Sequence, residues 1–309
     1  MTTQASRGRN PTQLTLLSPA KINLYLRIVG KRPDGYHEVE TVMVPLDFGD
    51  TVTLQLRKTS ITVECDNPNL PTDESNLALR AAKLMAERFP AEKGVKINLQ
   101  KRIPLAAGLG GGSSNAATVL RGLNRLWQLE LPVTDLDPLA AEMGSDINFF
   151  LRNTAAVCRG RGEQVEPIPS RLAATVLMVN PGFGISTAWA YQHWAELGRP
   201  LTATPPDTSL LCRALESGDL EGVTRALYND LERPALWKFP VLELIKDAMR
   251  EAGAAGALMS GSGATVFGLF AKRAQADEAA GRIRAQFGAG TWTQVCGISQ
   301  GLEAVGAAR

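Results

Sequence analysis

The sequence predicts an α+β protein with two domains that divide near residue 165. The first half opens on segments with the two-residue apolar period of β-strands and continues with segments at helical spacing. Strands, helices and a second glycine-rich loop return in the second half, and such a mixture in each half is typical of α+β domains. We therefore expect a mobile tail over residues 1–12 and domains over 13–165 and 166–309.

The composition is that of a soluble enzyme. The chain has 309 residues, of which 44% are hydrophobic and 21% are charged, so a sizeable core is expected. The 33 basic and 31 acidic side chains leave a net charge of only +2, without a long basic run that would neutralise the phosphates of a polymer. Nucleic acid is therefore not expected as a partner.

The cysteines and histidines argue against a structural zinc site. The four cysteines form no CxxC pair, and the chain has only two histidines. Scattered thiols are typical of small buried side chains in a reducing compartment, so we expect a cytoplasmic protein.

The first twelve residues are polar and basic and lack the apolar stretch of a secretory signal. No later segment approaches the roughly 20 apolar residues that span a bilayer, so no membrane association is expected. The Arg and Ser content of the first residues leaves a short organelle transit peptide as an alternative to a mobile tail.

The first predicted strand carries polar side chains on one face. Alternation from Lys21 puts four apolar residues on one side and four others on the opposite side, which are Lys21, Asn23, Tyr25 and Arg27. Lys21 and Asn23 are thus expected to point the same way. A turn over Lys31–Gly35 then brings Tyr36 and His37 to the start of the next extended segment.

Further strands and helices follow from periodicity and terminal residues. Strands are predicted at Thr51–Leu56, Val95–Leu99, Ala174–Val179 and Thr265–Phe270. Helices are predicted from a Ser75 cap to Pro90 and Gly94, through the apolar stripe from Ala116 to Trp127, from Leu136 to a stop at Gly144, and within Leu210–Glu251.

The glycine-rich segment Gly108–Ser114 precedes one of these helices and suits a phosphate group. Backbone N–H groups at a helix N-terminus carry roughly half an elementary charge, and glycines let a phosphate approach them closely. No lysine follows Gly112, so this is not a Walker loop, and Ser113 stands where a dinucleotide fingerprint needs glycine. A tight turn that packs a helix on a sheet remains the alternative.

Four segments, in order, resemble a known kinase superfamily. They are SPAKINLYLRIVGKRPDGYHEV, PLAAGLGGGSSNAA, MGSDINFF and MSGSGATVFG. The superfamily is the GHMP kinases, named for galactokinase, homoserine kinase, mevalonate kinase and phosphomevalonate kinase. The resemblance, which extends to Asn229–Glu232, implies the two-domain GHMP kinase fold, with an N-terminal domain like ribosomal protein S5 domain 2 and a ferredoxin-like C-terminal domain.

The first segment is similar to the members that phosphorylate a cytidine diphosphate methylerythritol on its 2-hydroxyl, a step of the non-mevalonate isoprenoid pathway. The resemblance implies ATP as co-substrate, Mg²⁺, and a monomer or weak homodimer. A kinase of the same superfamily acting on mevalonate or homoserine, and a non-catalytic ligand-binding relative, are the alternatives.

The resemblance assigns the catalytic roles to Lys21 and Asp146. Asp146 would orient the hydroxyl and accept its proton, and Lys21 would keep Asp146 ionised and stabilise the transferred group. An aspartate beside Phe149 and Phe150 is also costly to ionise without a compensating cation, which supports the pairing independently. The alternatives are a helix-capping aspartate and a solvated strand lysine.

The ATP-binding segment implied by the resemblance is continuous. It comprises Pro104, Leu105, Ala106, Ala107, Gly108, Leu109, Gly110, Gly111, Gly112, Ser113 and Ser114. Ser114 is the candidate to lie near Mg²⁺. Ala106 and Ala107 stand where relatives often have glycine, and the adenine pocket is not predicted.

The substrate side is implied by resemblance in the same way. Its residues are Asn23, Tyr36, His37, Thr187, Tyr191, Ser262 and Gly263. Tyr36 and Tyr191 are expected to hold the cytosine between them, and Asn23 to reach the erythritol part. The alternatives are an ordinary aromatic core around Tyr191, a surface position for His37 and a purely structural turn at Ser260–Ala264.

Overall fold

The computed structural model of the chain describes residues 11–89, 93–197 and 205–299. Residues 1–10 of the predicted tail and Pro90, the predicted helix stop, lie outside this part. The strands of the described part are β1 Gln13–Lys31, β2 His37–Arg57, β3 Ile61–Cys65, β4 Gly94–Gln100, β5 Ala156–Arg159, β6 Gln164–Pro167, β7 Thr175–Asn180, β8 Tyr228–Asn229, β9 Gly256–Met259, β10 Val266–Phe270 and β11 Trp292–Gly297. Its helices are α1 Leu77–Arg88, α2 Gly111–Leu126, α3 Val133–Met143, α4 Ile147–Arg152, α5 Thr187–Leu197, α6 Thr208–Ser217, α7 Leu220–Arg225, α8 Glu232–Lys238, α9 Val241–Glu251 and α10 Arg273–Phe287.

Two long antiparallel strands, β1 and β2, form the centre of the first sheet. The order is β3-β4-β2-β1-β8, and β5 and β6 extend from β2. The predicted strand Thr51–Leu56 is the end of β2, which runs without interruption from His37. Since β2 begins at His37, the turn before it places Tyr36 and His37 at the end of the sheet.

The helices of the first half pack on one face of this sheet. Their shared core includes Ile97 from β4, Leu120 from α2 and Phe149 from α4. Helix α1 is capped by Asn76, whose Oδ1 accepts a hydrogen bond from the Ala78 N–H at 2.9 Å, and not by Ser75 as predicted. This core fixes α2 and α4, whose N-terminal ends carry the glycine loop and Asp146.

The second sheet has the antiparallel order β11-β7-β10-β9. Helices α9 and α10 pack against it, and their core includes Leu177, Ile245 and Ile283. A third apolar core joins the two halves, because Ile22 of β1 packs in one cluster with Met178 and Phe267 of the second sheet. Strand β1 is therefore enclosed where the two halves meet.

The division near residue 165 stays a prediction. It falls within β6, and β8, which comes later in the chain, pairs in parallel with β1 in the first sheet.

A β-bulge changes the predicted faces of β1. Its register against β2 shifts between Asn23 and Tyr25, so one extra residue is inserted there and the alternation reverses. Leu26, and not Tyr25, continues the face of Lys21 and Asn23 along the cleft, and Tyr25 is buried in the apolar core. The prediction that Tyr25 shares the face of Lys21 is therefore wrong.

Candidate active site

The first glycine loop lines a cavity of about 570 Å³. Its backbone is left-handed at Gly108 and at Gly110, which is the N-cap of α2. A Cβ at Gly108 would lie 2.1 Å from the Ser260 carbonyl oxygen, and one at Gly110 would lie 2.8 Å from the ring of Phe150. Both positions therefore require glycine, because the loop packs closely against Ser260 and Phe150 and its backbone is left-handed.

The two serines after the loop have different environments. Every predicted ATP-binding residue from Pro104 to Ser113 lines the cavity. Ser114 does not, because its side chain is fully buried and its Oγ accepts a hydrogen bond from Ser18 Oγ at 2.8 Å. One step along α2 turns the Ser114 hydroxyl into the core, so Ser113, and not the predicted Ser114, lines the cavity where a metal would bind.

Lys21 and Asp146 approach each other across the same cavity. Lys21 Nζ donates to Asn23 Oδ1 at 2.5 Å and to the Gly108 carbonyl oxygen at 2.9 Å, and it lies 3.8 Å from Asp146 Oδ2. The lysine side chain is 4% exposed and that of Asp146 is 36% exposed. The two hydrogen bonds therefore hold the ammonium on its buried side, whereas the Asp146 carboxylate is accessible to a ligand.

Burial lowers the pKa of Lys21, and the negative charge of Asp146 opposes this shift, followed by Cys158. A lysine ammonium has three hydrogens and no acceptor, and two of them point at Asn23 and Gly108. The third is available toward Asp146 or an anion in the cavity. Partial compensation of a buried charge makes this position a favourable one for a phosphate oxygen.

Asp146 stands at the N-terminus of α4, just after Gly144 ends α3. Its side chain makes no capping hydrogen bond to that helix. The carboxylate therefore does not cap the helix, which was the alternative to a catalytic role, and it lines the cavity.

A second cavity, of about 760 Å³, adjoins the first. Tyr36 and His37 line it from the start of β2. The side chains that line both cavities are Asp146, Arg161, Thr187 and Tyr191. Asp146 therefore lies where two ligands, one in each cavity, would meet.

The aromatic side chains of the second cavity are paired differently from the prediction. The ring of Tyr191 stacks on His37, with centroids 5.0 Å apart and an angle of 21° between the planes. Tyr36 is 56% exposed, and the guanidinium of Arg161 lies 5.0 Å from its ring centroid. Tyr191 thus faces His37 and not Tyr36. Burial, followed by Lys31, lowers the pKa of His37 and favours its neutral form.

The second glycine loop closes the first cavity from the other half of the chain. Ser262 Oγ lies 3.1 Å from Thr187 Oγ1, and both residues line the cavity. Gly261 packs against Lys21, since a Cβ there would lie 3.2 Å from Nζ. Gly263, a predicted substrate contact, lines neither cavity. A Cβ at Gly263 would lie 2.6 Å from Met259 Sδ, so its lack of a side chain allows close packing there.

Several cavity residues were missed by sequence reasoning. Arg161 lies in a turn between two glycines with positive φ, and Asn69–Pro71 lie in a loop before α1, so neither has a periodic signal. Lys101 also lines the first cavity, where its ammonium pairs with buried Asp50 and donates to Asn115 Oδ1 at 2.9 Å. The only sequence signal for the place of Lys101 in the cavity is its position between a predicted strand and the glycine loop.

Whether the first cavity suits a metal ion depends on the oxygen donors that line it. In the described part of the chain, no three His, Cys, Asp or Glu side chains converge as metal ligands. Ser113 and Asp146 place a hydroxyl and a carboxylate on the first cavity. Because Mg²⁺ prefers oxygen ligands and keeps several from substrate phosphates and water, these donors fit a metal that is held mainly by a nucleotide.

Comparison with known proteins defines the class. The family model described as GHMP kinases N terminal domain matches residues 76–154, and GHMP kinases C terminal matches residues 211–289. A "4-diphosphocytidyl-2-C-methyl-D-erythritol kinase" of Synechococcus sp. (strain JA-3-3Ab) is 46% identical over 86% of this chain and 87% of its own. One of Geobacillus kaustophilus is 45% identical, over 83% and 88%. The chain therefore belongs to the family of 4-diphosphocytidyl-2-C-methyl-D-erythritol kinases.

Solved structures agree with this assignment. A crystal structure of 4-(cytidine 5'-diphospho)-2C-methyl-D-erythritol kinase aligns with a TM-score of 0.74 and 36% identity, covering 93% of this chain and all of the other. Homoserine kinase from Cytophaga hutchinsonii aligns with a TM-score of 0.72 at 20% identity, over 97% and 98%, which shows the fold alone. The predicted α+β GHMP kinase fold is confirmed. Within the described residues no helix is long and apolar enough to cross a bilayer.

Proposed function

We propose that this chain transfers the γ-phosphoryl group of ATP to the 2-hydroxyl of 4-diphosphocytidyl-2-C-methyl-D-erythritol, giving the 2-phosphate and ADP, in the non-mevalonate isoprenoid pathway. The observation that carries the proposal is the position of Asp146, which lines both cavities and lies 3.8 Å from Lys21. A phosphoryl donor in one cavity and an alcohol in the other would meet at this carboxylate. The names of the relatives support the choice of alcohol.

The first cavity is the proposed ATP site. Phosphate oxygens would accept hydrogen bonds from the N–H groups at the start of α2, where the helix dipole favours negative charge. The outer part of the same cavity offers apolar and amide surface for adenine, from Asn69–Pro71, Leu77 and Leu105. The loop thus accounts for the phosphate end, and the segment before α1 for the base.

The chemistry requires few reacting side chains. The substrate hydroxyl oxygen attacks the γ-phosphorus, and the bond from that phosphorus to the β,γ-bridging oxygen of ATP breaks, so that ADP leaves with this oxygen. The hydroxyl proton passes to Asp146. Lys21 donates its remaining hydrogen to the transferred group and stabilises the negative charge that develops there. Catalysis then comes mainly from orientation and charge stabilisation, because Lys21 is held by Asn23 and Gly108 before the ligands bind.

The second cavity is the proposed cytidylyl site. Tyr36, His37 and Tyr191 offer ring faces for cytosine, with His37 neutral near pH 7 because its pKa is lowered. Arg161 lines both cavities and is suited to the diphosphate, since a guanidinium forms paired hydrogen bonds with phosphate oxygens. Asn23 Oδ1 is engaged by Lys21, so we assign Asn23 to holding that lysine.

Mg²⁺ would be held by the ATP phosphates with Ser113 nearby, and when bound it would neutralise charge on the phosphates. We also propose the cytoplasm as the compartment, supported by the free thiols of Cys65, Cys158, Cys212 and Cys296.

The test is an assay of ADP release from ATP with the cytidylyl substrate, mevalonate and homoserine as acceptors, with the product identified by ³¹P NMR. We expect turnover with the cytidylyl substrate, a new phosphomonoester signal and a turnover at least about 10²-fold lower in Asp146→Asn. Equal turnover of mevalonate would overturn the choice of substrate, and ADP release without any acceptor would overturn the transfer itself.

A further inference from the structure

Lys21 is the end of a chain of buried side chains that begins on the neighbouring strand. Asn23 Oδ1 accepts the hydrogen bond from Lys21 Nζ, and Asn23 Nδ2 donates to Thr41 Oγ1 at 2.8 Å. Thr41 belongs to β2 and is 4% exposed, and Asn23 is 3% exposed. Both side chains are almost completely buried at the edge of the first cavity, and each hydrogen bond in the chain has a defined partner.

Counting hydrogens fixes the direction of every bond. Thr41 Oγ1 donates its single hydrogen to the Tyr25 carbonyl oxygen at 2.6 Å, so toward Asn23 it acts only as an acceptor. The amide must then turn its NH₂ group to Thr41 and its oxygen to Lys21. Lysine, which only donates, requires the same orientation from the other end.

The bulge in β1 explains why Thr41 is in position. The register against β2 shifts between Asn23 and Tyr25, and Thr41 pairs with Leu26 in the second residue pair after the shift. The hydroxyl of Thr41 bonds the Tyr25 carbonyl on one side of the bulge and the Asn23 amide on the other. One hydroxyl thus holds both the irregular backbone and the side chain beside Lys21.

We propose that Thr41 is a positioning residue for phosphoryl transfer, which orients the Asn23 amide so that an oxygen stays on the Lys21 ammonium. This inference rests on the proposed function. Without the hydroxyl, the buried NH₂ of Asn23 has lost its acceptor, and the side chain must rotate away from Lys21 to find another. The titratable groups facing Lys21, Asp146 and Cys158, would then hold the ammonium without the amide.

The test compares Thr41→Val, which keeps the shape, with Thr41→Ser, which keeps the hydroxyl. We expect Thr41→Val to lower kcat by roughly tenfold, with each KM within about twofold of the parent, and Thr41→Ser to restore most of the rate. The alkaline limb of the kcat profile should move to lower pH in Thr41→Val only. Since Thr41 also lines the first cavity, a rise in KM with unchanged kcat would indicate ligand contact instead and overturn the proposal.

Combining Thr41→Val with Asn23→Asp tests whether the effect of Thr41 passes through the Asn23 amide. In Asn23→Asp both side-chain oxygens are acceptors, so either orientation presents an oxygen to Lys21, and adding Thr41→Val should then cost less than about threefold in kcat. Equal losses in the two backgrounds would contradict the mechanism. If Thr41→Val shows no cooperative thermal unfolding, Thr41→Ala takes its place in both backgrounds.

A readout without substrate separates this inference from the proposed function. The ¹³Cε signal of Lys21, assigned with Lys21→Arg, should titrate at lower pH in Thr41→Val than in the parent and in Thr41→Ser. Unchanged titration would overturn the role of Thr41 whatever alcohol the enzyme uses, whereas an inactive parent with shifted titration would count against the substrate alone.

Discussion

At the scale of single residues, the proposed chemistry of the cleft rests on two opposite charges. Lys21 is buried among three oxygen-bearing neighbours, Asn23, Gly108 and Asp146, and Asp146 is the exposed member of the pair. The exposed carboxylate can reach a hydroxyl, and the buried ammonium keeps its position as ligands come and go. We therefore expect that a neutral side chain of similar size would not perform the task proposed for either residue.

Asp146→Asn and Lys21→Met should each lower kcat by about 10²–10⁴-fold, because the first removes the proton acceptor and the second removes the charge that stabilises the transferred group. Steady-state kinetics with both substrates measure this, and circular dichroism with thermal unfolding serves as the control for folding. Turnover within a few fold of the parent in either variant would refute the assigned role.

Ala106 has a backbone conformation that alanine seldom adopts. Its φ is 51°, in the left-handed region, where a residue with a Cβ is strained by roughly 1–2 kcal/mol. Glycine would relieve the strain at an entropic cost of about 0.5–1 kcal/mol. We expect Ala106→Gly to raise the free energy of unfolding slightly, as measured by urea titration.

Ala107 provides the matched control for this prediction. It is 3% exposed, and its φ is not among the positive values of the loop. Ala107→Gly removes a buried methyl group without relieving strain, so it should be destabilising. A loss of stability of the same size in both variants would show that the conformation of Ala106 carries no strain.

At the scale of elements, the start of α2 depends on what packs behind it. Gly110 has a φ of 72°, and a Cβ there would approach the Phe150 ring to 2.8 Å and Lys21 Cε to 3.3 Å. Gly110→Ala should therefore displace the loop and raise KM for ATP by about tenfold or more, since the N–H groups proposed to bind phosphate would move with it.

Gly112→Ala is the comparison for this loop variant. A Cβ at Gly112 would make only an ordinary 3.5 Å contact with Leu77 Cδ1, and its φ is not positive. The rise in KM for ATP should be clearly smaller than in Gly110→Ala. KM for the cytidylyl substrate, measured in the same assays, should change less than KM for ATP in both proteins, and equal changes would indicate general misfolding.

The segment around β8 holds the second glycine loop against β1. Asn229 Nδ2 donates to the carbonyl oxygens of Met259 and Gly261, each at 2.8 Å, and Asp230 Oδ2 accepts from the Ile28 N–H at 2.6 Å. The motif Asn229–Glu232 contributed to the sequence resemblance without a role. Its position shows one, because it joins the strand of Lys21 to the loop that packs on Lys21.

Asn229→Asp should destabilise the protein by about 1–3 kcal/mol near neutral pH, because a carboxylate would face two carbonyl oxygens. The two carbonyl oxygens would raise the pKa of the new carboxyl at position 229 in the folded state above its unfolded value. The folded state would then favour the protonated form, so the stability difference from the parent should shrink as pH falls. Urea unfolding of both proteins at pH 7 and pH 5 measures this. A difference that grows on acidification would contradict the assignment.

At the scale of the whole molecule, the predictions that succeeded rest on local rules. The glycine loop and α2 follow from turn chemistry and helical periodicity, and the Leu136 helix does end at Gly144. The prediction that Lys21 and Asn23 point the same way follows from strand alternation, which is regular from Lys21 to the bulge after Asn23. These features require no knowledge of distant partners.

The features that were missed depend on contacts between distant segments. The bulge after Asn23 is set by pairing with β2, and the burial of Ser114 is set by Ser18 on β1. Arg161 enters the site because its turn folds over Asp146, where a Cβ at Gly162 would lie 3.9 Å from Asp146 Oδ1. No periodicity within a single segment contains this information.

The meeting of the two cavities at Asp146 has a consequence for inhibitor design. A compound that joins an adenosine phosphate chain to cytidine should fill both cavities at once and bind about 10²–10⁴-fold more tightly than either half, since the second half binds at millimolar effective concentration. Inhibition kinetics should be competitive against both substrates, and competition with only one would show that the linker does not pass Asp146. Because the two cavities share lining residues, one compound can bind in both and gain affinity by avidity, which two separate pockets would not allow.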